Sequence, residues 1–283
     1  MARVIASVLM AALALGAIAL TGGGELSRVQ TVFGMNTASG APSGASTAVG
    51  ANATPMVTAT TGGPMVVLGL GDSVMAGTGC GCDGIPEEYS AILRQRTGRQ
   101  VTAVNEGVPG ATSADLLADL KDPGLRSEVA DADVIIVSIG ANDMVDGLDG
   151  CTPSGCAAQS ASQAAAMKSR VDAVLTQLRA LRGARPFECL VLGYWNVYPE
   201  GDPTVPEDEH GRPVALAATT AANGVLEQSA SGHGATYVDL MPSFRGADGK
   251  SNPSRLLAED GDHPNATGVE VIAHELAQAF AGA

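Results

Sequence analysis

The chain has 283 residues, of which 45% are hydrophobic, and it carries 30 acidic against 16 basic residues for a net charge of −14. This length and apolar content are sufficient for a large folded domain and argue against a disordered chain. The excess of acidic residues argues against binding to nucleic acid or to anionic lipid through a basic surface, because phosphate groups attract positive charge.

An apolar run over residues 4–20 follows a single basic residue, Arg3. A run that is apolar on all sides at the start of a chain is typical of an export signal or a membrane anchor rather than of a buried helix. Ala17 and Ala19 offer a small-residue cleavage site, so cleaved and uncleaved forms both fit. We expect residues 1–24 to be a signal peptide or an N-terminal membrane anchor, and the protein to be secreted or held at the outer face of the cell membrane.

A low-complexity segment follows, in which no charged residue occurs between positions 29 and 71. Residues 37–63 are mostly Ala, Ser, Thr, Gly and Pro without apolar periodicity. Such a segment cannot bury enough surface to offset its ordering entropy. We therefore predict a flexible linker over residues 25–63 and a folded domain over residues 64–283.

Strand and helix patterns alternate along this domain. Apolar, β-branched runs predict five strands, at residues 65–70, 100–105, 133–139, 188–194 and 235–240. Helical patterns follow them, at residues 86–97, 113–120, 159–181, 214–231 and 265–280. Because the strands are almost continuously apolar and alternate with helices, they predict an α/β fold with a parallel sheet covered on both faces.

Polar residues with catalytic potential follow the ends of these strands. Gly71-Asp72-Ser73 comes after the first strand, residues 105–110 after the second, residues 140–143 after the third and residues 260–265 after the fifth. In open parallel α/β sheets, ligands bind beyond the carboxyl ends of the strands. We therefore expect these four segments to meet at one edge of the sheet.

The residue types in these segments are those of acyl transfer. Ser73 offers a nucleophile, His263 a general base and Asp260 a carboxylate that orients the imidazole. The i,i+3 spacing of Asp260 and His263 allows the carboxylate to reach Nδ1 of the ring within one turn. The backbone N–H groups of Ser73 and Gly110 and the side-chain amide of Asn142 would form an oxyanion hole. This set requires neither a metal ion nor a cofactor.

The four segments resemble the sequence blocks of the SGNH hydrolases, also called the GDSL lipase/esterase family, in the same order. The resemblance extends over residues 71–268 and implies a flavodoxin-like, three-layer α/β/α sandwich around a five-stranded parallel sheet. Val74 stands where the family name has Leu, at an apolar packing position. The resemblance implies a nucleophile, two oxyanion residues and a carboxylate–imidazole pair at Ser73, Gly110, Asn142, Asp260 and His263, respectively.

Several of these residues also have an ordinary structural interpretation. Ser73 could cap a helix, and Asn142 could satisfy its own backbone in a turn. Gly110 could merely shape a tight turn, which is the interpretation that we prefer for Gly107. Four ordered blocks favour the catalytic interpretation of Ser73, Gly110 and Asn142.

The remaining carboxylates of these segments are given structural roles. We predict that Asp72 and Asp143 accept hydrogen bonds that brace their loops. Asp262 competes with Asp260 as the partner of His263. We prefer Asp260, because the side chain of a residue adjacent to His263 would point elsewhere.

The five cysteines of an exported chain predict two disulfides and one free thiol. Cys151 and Cys156 are the expected pair. Cys80 and Cys82 are expected to be too close to bridge each other without strain, which leaves their partner open, and Cys189 is expected to be buried. A four-cysteine zinc site is the alternative, but the cysteine spacing and the export signal disfavour it.

The only tryptophan of the chain lies in Tyr194-Trp195-Asn196, at the end of the fourth strand. It either lines a substrate pocket or packs beneath a neighbouring loop.

Together, these patterns predict an exported serine esterase that hydrolyses carboxylic esters through an acyl-enzyme. The alternatives are a polysaccharide O-acetyl esterase that acts on glycans and a non-catalytic, surface-tethered binding protein. The expected partner is a small-molecule or lipid ester, not nucleic acid, and we expect a monomer tethered, if at all, through residues 4–20.

Overall fold

Five parallel strands form the centre of the computed structural model, which describes residues 62–145, 153–197 and 211–280. The strands are β1 (Met65–Gly71), β2 (Val101–Gly107), β3 (Val134–Ser138), β4 (Glu188–Leu192) and β5 (Thr236–Val238). Their order in the sheet is β2-β1-β3-β4-β5, and each neighbouring pair is parallel. This is the flavodoxin-like strand order. The predicted fold class is therefore confirmed.

Eight α-helices and a short 3-10 helix (Ser254–Leu256) accompany the sheet in the described residues. The helices are α1 (Ile85–Thr97), α2 (Ser113–Asp119), α3 (Pro123–Asp131), α4 (Ala141–Met144), α5 (Pro153–Arg182), α6 (Gly211–Gly232), α7 (Met241–Arg245) and α8 (Ala266–Ala279). Helix α1 packs against α8, while α5 packs against α2, α3 and α6. Each predicted helix corresponds to one of these.

The core lies where helices cover both faces of the sheet. Every residue of β3 is buried, and in β1 all but Val66 are buried. Continuous apolar runs of this kind are what strands need when neither face meets water. The sheet is therefore a rigid base, and the loops beyond its carboxyl edge hold the polar residues.

Helix α3 was not predicted, although the sequence contains its start signal. The Asp122 side chain accepts hydrogen bonds from the backbone N–H groups of Gly124 and Leu125, at 2.8 and 3.1 Å, and Pro123 occupies the first helical position. Asp followed by Pro is a typical helix start, because it caps free N–H groups and presets the backbone angle. The short helices α4 and α7 were also missed, since four or five residues show no periodicity.

Several predictions concern residues outside the described ranges. These are the export segment at residues 4–20, the linker as far as residue 61, and Cys151. None of the described helices is both long enough and apolar enough to cross a membrane.

One pair of cysteines differs from the prediction. Cys80 and Cys82 form a disulfide with each other, with their Cα atoms 5.1 Å apart, whereas the sequence interpretation held that they could not pair without strain and left their partner open. The residue between them, Gly81, has a φ of +62°, a left-handed conformation that lets the backbone turn tightly. Cys156 is also disulfide-bonded. Cys189 is free and buried, and burial raises the pKa of its thiol to about 12.

Candidate active site

Strand β1 ends in a glycine that no other residue could replace. Gly71 has a φ of +148°, and a Cβ at this position would collide with the carbonyl oxygen of Ser138 on the neighbouring strand. The backbone N–H of Asp72 donates to that same oxygen, at 2.9 Å. The chain therefore leaves β1 pressed against the end of β3, and this contact sets the position of Ser73.

Asp72 is fully buried directly beside Ser73 and braces the loop, as predicted. Its carboxylate accepts hydrogen bonds from the backbone N–H of Val74, at 3.0 Å, and from the hydroxyl of Tyr194. Burial raises the pKa of Asp72 to about 6, although both hydrogen bonds and the nearby His263 oppose this rise.

The end of β2 and the segment that follows it are hydrogen-bonded to the Ser73 loop. The N–H of Val108 donates to the carbonyl of Gly71, at 2.8 Å, and the Asn105 side chain donates to the carbonyl of Met75, at 2.9 Å. A Cβ at Gly107 would collide with the backbone of Ala76. Gly107 is thus a close-approach glycine at the end of β2: its role is structural, but it lies in a strand and not in the predicted tight turn.

Gly110 lies three residues after the end of β2, in an exposed turn with a φ of +81°. Within the described part of the chain, neither its backbone N–H nor that of Ser73 has a hydrogen-bond acceptor. Both groups are therefore available as donors.

Asn142 lies on α4, just beyond β3. Its side-chain amide donates to the carbonyl of Ala111, at 2.9 Å, which ties α4 to the Gly110 turn. The preceding Gly140 has a φ of +125°, and the Met167 side chain packs where a Cβ would stand. A second N–H of the Asn142 amide is free to donate elsewhere, because a primary amide has two.

The loop before α8 places a carboxylate directly on an imidazole. Asp260 Oδ2 lies 2.7 Å from His263 Nδ1, and Asp260 Oδ1 accepts from the backbone N–H groups of Asp262 and His263, both at 3.0 Å. Although burial raises the pKa of Asp260, these hydrogen bonds and the His263 charge outweigh burial and hold it below its usual value. Burial raises the pKa of the Asp262 carboxyl. Asp260, and not Asp262, makes the hydrogen bond to the ring.

This turn is held in place by residues that the sequence interpretation missed. Asn265 caps α8 by accepting from the N–H of Gly268, at 3.0 Å, and its amide donates to the carbonyl of Leu257, at 2.8 Å. A Cβ at Gly268 would collide with the carbonyl of Leu256. The spacing of Asn265 and Gly268, at the start of a helical pattern, was the available signal.

The Ser73 turn and the Asp260–His263 turn lie side by side. A Cβ at Gly79 would stand 3.3 Å from Asp260 Oδ2 and 3.6 Å from His263 Cβ. A hydrogen bond from the N–H of Thr78 to the carbonyl of Ser73, at 3.0 Å, ties Ser73 to the turn that contains Gly79. The turn of residues 73–79 and the loop of Asp260 and His263, more than 180 positions later in the chain, thus lie side by side at the carboxyl edge of the sheet.

Trp195 packs in the core instead of lining a cleft. Its ring stacks on Phe244 with centroids 4.1 Å apart, and it is 1% exposed. Of the two interpretations of this segment, the structure favours packing for the tryptophan. Its neighbour Tyr194 instead reaches Asp72.

The described residues contain no group of three or more His, Cys, Asp or Glu side chains arranged to hold a metal ion. The arrangement present can instead perform acid–base and nucleophilic chemistry, because a hydroxyl, an imidazole, a carboxylate and unused N–H donors lie in adjacent turns.

Comparison with known proteins shows the family of the chain. Residues 70–271 match the model of the GDSL-like Lipase/Acylhydrolase family. The spore germination lipase LipC of Bacillus licheniformis is 22% identical over 217 residues, covering 75% of this chain and 95% of that protein.

Two solved structures share the fold. The lipase Lip_vut3 from a goat rumen metagenome aligns with a TM-score of 0.65 and 21% identity, over 77% of this chain and 98% of that one. A catalytic mutant of Axe2, an acetylxylan esterase from Geobacillus stearothermophilus, aligns with a TM-score of 0.56 and 16% identity, over 79% and 97%. Because the family model covers most of the chain and all four polar segments, this protein belongs to the GDSL-like lipase/acylhydrolase family and is an ester-hydrolysing enzyme.

Proposed function

We propose that the protein is an exported serine esterase that hydrolyses carboxylic esters through an acyl-enzyme formed on Ser73. The observation that supports this most directly is the 2.7 Å contact between Asp260 and His263 Nδ1, in a turn adjoining that of Ser73. A carboxylate on Nδ1 leaves Nε2 unprotonated and free to act as a base.

The proposed reaction has two halves. In the first, His263 Nε2 accepts the Ser73 hydroxyl proton while Oγ bonds to the ester carbonyl carbon. The tetrahedral intermediate then expels the alcohol, which takes the proton from the imidazolium and leaves an acyl-serine. In the second half, His263 deprotonates a water molecule that attacks the acyl group. The Ser73–acyl bond then breaks, and Oγ regains its proton.

The oxyanion that forms in each half needs hydrogen-bond donors. The free N–H groups of Ser73 and Gly110 and the second amide hydrogen of Asn142 suit this role, since they lie in adjoining loops and have no acceptor of their own within the described residues. Losing one such donor typically raises the barrier by about 3 kcal/mol.

For the substrate, we propose a short- or medium-chain acyl ester, with lipid esters included. The likeness in fold to an acetylxylan esterase makes acetyl groups on glycans the second candidate. The two differ in which part of the ester is recognised, because a glycan esterase binds a large alcohol and a lipase binds a long acyl chain.

Turnover is tested with p-nitrophenyl acetate, butyrate and palmitate, comparing the wild type with Ser73→Ala. Ser231→Ala, which changes an exposed serine on α6, is the matched control. We expect Ser73→Ala to lose at least about 10³-fold in kcat/KM and the control to lose nothing. Equal rates for the wild type and Ser73→Ala would refute the serine esterase and favour the binding-protein alternative. A comparison of the hydrolysis rates on acetylated xylan and on long-chain esters then distinguishes the two substrate classes.

Export is also a proposal, and it is supported by the apolar run at residues 4–20. Expression of the whole chain followed by fractionation and mass measurement tests it. We expect the protein outside the cytoplasm, and a mass lower by the segment ending near residue 24 would identify cleavage instead of anchoring. Full-length protein confined to the cytoplasm would contradict export.

A further inference from the structure

A buried tyrosine contacts the loop that carries Ser73. Tyr194, which is 1% exposed and lies beyond the end of β4, donates a hydrogen bond through its hydroxyl to Asp72 Oδ2. This hydroxyl thus ties the segment after β4 to the residue before Ser73.

The nature of its partner is unusual for a structural contact. Asp72 is fully buried, and the hydrogen bonds to it come from neutral groups, Tyr194 and the Val74 N–H. The two bonds go to different oxygens, and an asparagine has a single amide oxygen, so an amide could not accept both. Burying the charge of a carboxylate still costs several kcal/mol, so a nearby positive group is the expected use of that charge.

The charged groups around Asp72 indicate that use. Among the described residues, the His263 and Asp262 side chains, from the loop before α8, are close enough to Asp72 for their charges to shift its pKa. A negative charge near His263 stabilises the imidazolium that ester hydrolysis requires in each half-reaction. Asp72 would add to the effect of Asp260.

We propose that Asp72 and Tyr194 are a positioning pair for ester hydrolysis: Tyr194 holds the Asp72 carboxylate in place, and this carboxylate fixes the Ser73 turn and stabilises the protonated form of His263. This proposal rests on the proposed function. Tyr194 donates the hydrogen bond that most strongly opposes the effect of burial on Asp72, so its hydroxyl keeps that carboxylate ionised.

The test uses Tyr194→Phe, Asp72→Asn and the double variant in the whole protein. Tyr89→Phe is the matched control, because Tyr89 is a fully buried tyrosine whose hydroxyl has no hydrogen-bond partner in the described residues. Rates are measured with p-nitrophenyl butyrate between about pH 5 and pH 9, and melting temperatures report folding.

We expect Tyr194→Phe to lower kcat at neutral pH by about tenfold, and Asp72→Asn by about 10- to 100-fold, as for loss of a hydrogen bond to a charged group. KM should change little. The double variant should be no slower than Asp72→Asn, because the two residues act as one unit. In Tyr194→Phe, Asp72 loses a hydrogen bond that lowers its pKa, so Asp72 should keep its proton to higher pH. The acid limb of kcat/KM that follows the ionisation of Asp72 should therefore move to higher pH, which a purely structural hydroxyl would not cause.

Tyr194→Phe with the kcat and pH profile of Tyr89→Phe would overturn the proposal, and so would losses that multiply in the double variant. If Asp72→Asn does not fold, Tyr194→Phe alone decides through its pH profile. An absence of turnover in the wild type above Ser73→Ala would overturn both the proposed function and the pair, whereas normal turnover in Tyr194→Phe would overturn the pair alone.

Discussion

The carboxylate of Asp143 accepts two hydrogen bonds from Ser113, from its backbone N–H at 2.7 Å and from its hydroxyl at 2.5 Å. The Asp143 side chain is 2% exposed and also pairs with Arg170, at 3.2 Å. Ser113 begins α2, just after the Gly110 turn, while Asp143 follows Asn142 on α4. One buried carboxylate therefore holds together the two segments that supply candidate oxyanion donors.

Ser113→Ala should destabilise the protein and slow it. Removal of a buried hydroxyl that donates to a charged group costs about 1.5–3 kcal/mol of unfolding free energy. Urea denaturation measures this loss, and kcat should fall because Asn142 and Gly110 lose a shared brace. Ser231→Ala is the control, and an unchanged unfolding free energy in Ser113→Ala would contradict the importance of this contact.

Gly107→Ala should reduce both stability and activity, because its Cβ would push the backbone at Ala76 and with it the Ser73 turn. We expect a loss of about 1–3 kcal/mol, typical of overpacking, with a clear drop in kcat. Gly224→Ala on α6 is the matched change, since its Cβ meets no atom within 4 Å. That variant should be neutral or more stable by about 0.5–1 kcal/mol. Similar behaviour of the two variants would contradict the close approach at Gly107.

Stability should depend on pH through Asp72. Its pKa is raised to about 6 in the folded state, so between about pH 4 and pH 6 the folded protein binds more protons than the unfolded chain. The contribution of Asp72 to stability is therefore full in acid and is lost as the pH rises through this window, by on the order of 3 kcal/mol.

Asp72→Asn removes this dependence. The difference in melting temperature, Asp72→Asn minus wild type, should be larger at pH 7 than at pH 4, although the activity of the variant falls. A constant difference between the two proteins across that range would show that Asp72 does not titrate there.

Asp260→Asn and Asp262→Asn form a matched pair that tests which carboxylate orients His263. Asp260 contacts the ring, so its replacement should lower kcat by about 10³- to 10⁴-fold, as an amide favours the wrong imidazole tautomer. Asp262→Asn should change kcat by less than about tenfold. Equal losses would contradict the assignment of Asp260.

The Cys189 thiol should be unreactive in the folded protein. It is buried on β4, and burial raises its pKa to about 12, which leaves almost no thiolate at neutral pH. A colorimetric thiol reagent should label it only after denaturation, and Cys189→Ser should abolish that signal. Rapid labelling of the native protein would contradict its burial.

Much of the fold followed from local patterns. The apolar runs of β1 and β3 and the helical periodicities between them need no distant partner to be recognised, because burial on both faces leaves a mark in the strand itself. The short helices α4 and α7 leave no such mark. Their boundaries depend on loops that pack against other elements.

The sequence alone determined the alternation of strands and helices, the order of the polar segments and the kinds of chemical group at the sheet edge. It favoured Asp260 over Asp262 as the partner of His263 without showing the contact, and it did not reveal that Tyr194 reaches Asp72 or that Cys80 pairs with Cys82. Those facts depend on distances through space and on backbone angles at single residues such as Gly81. Neither quantity is encoded in composition or periodicity, so only the tertiary structure decided them.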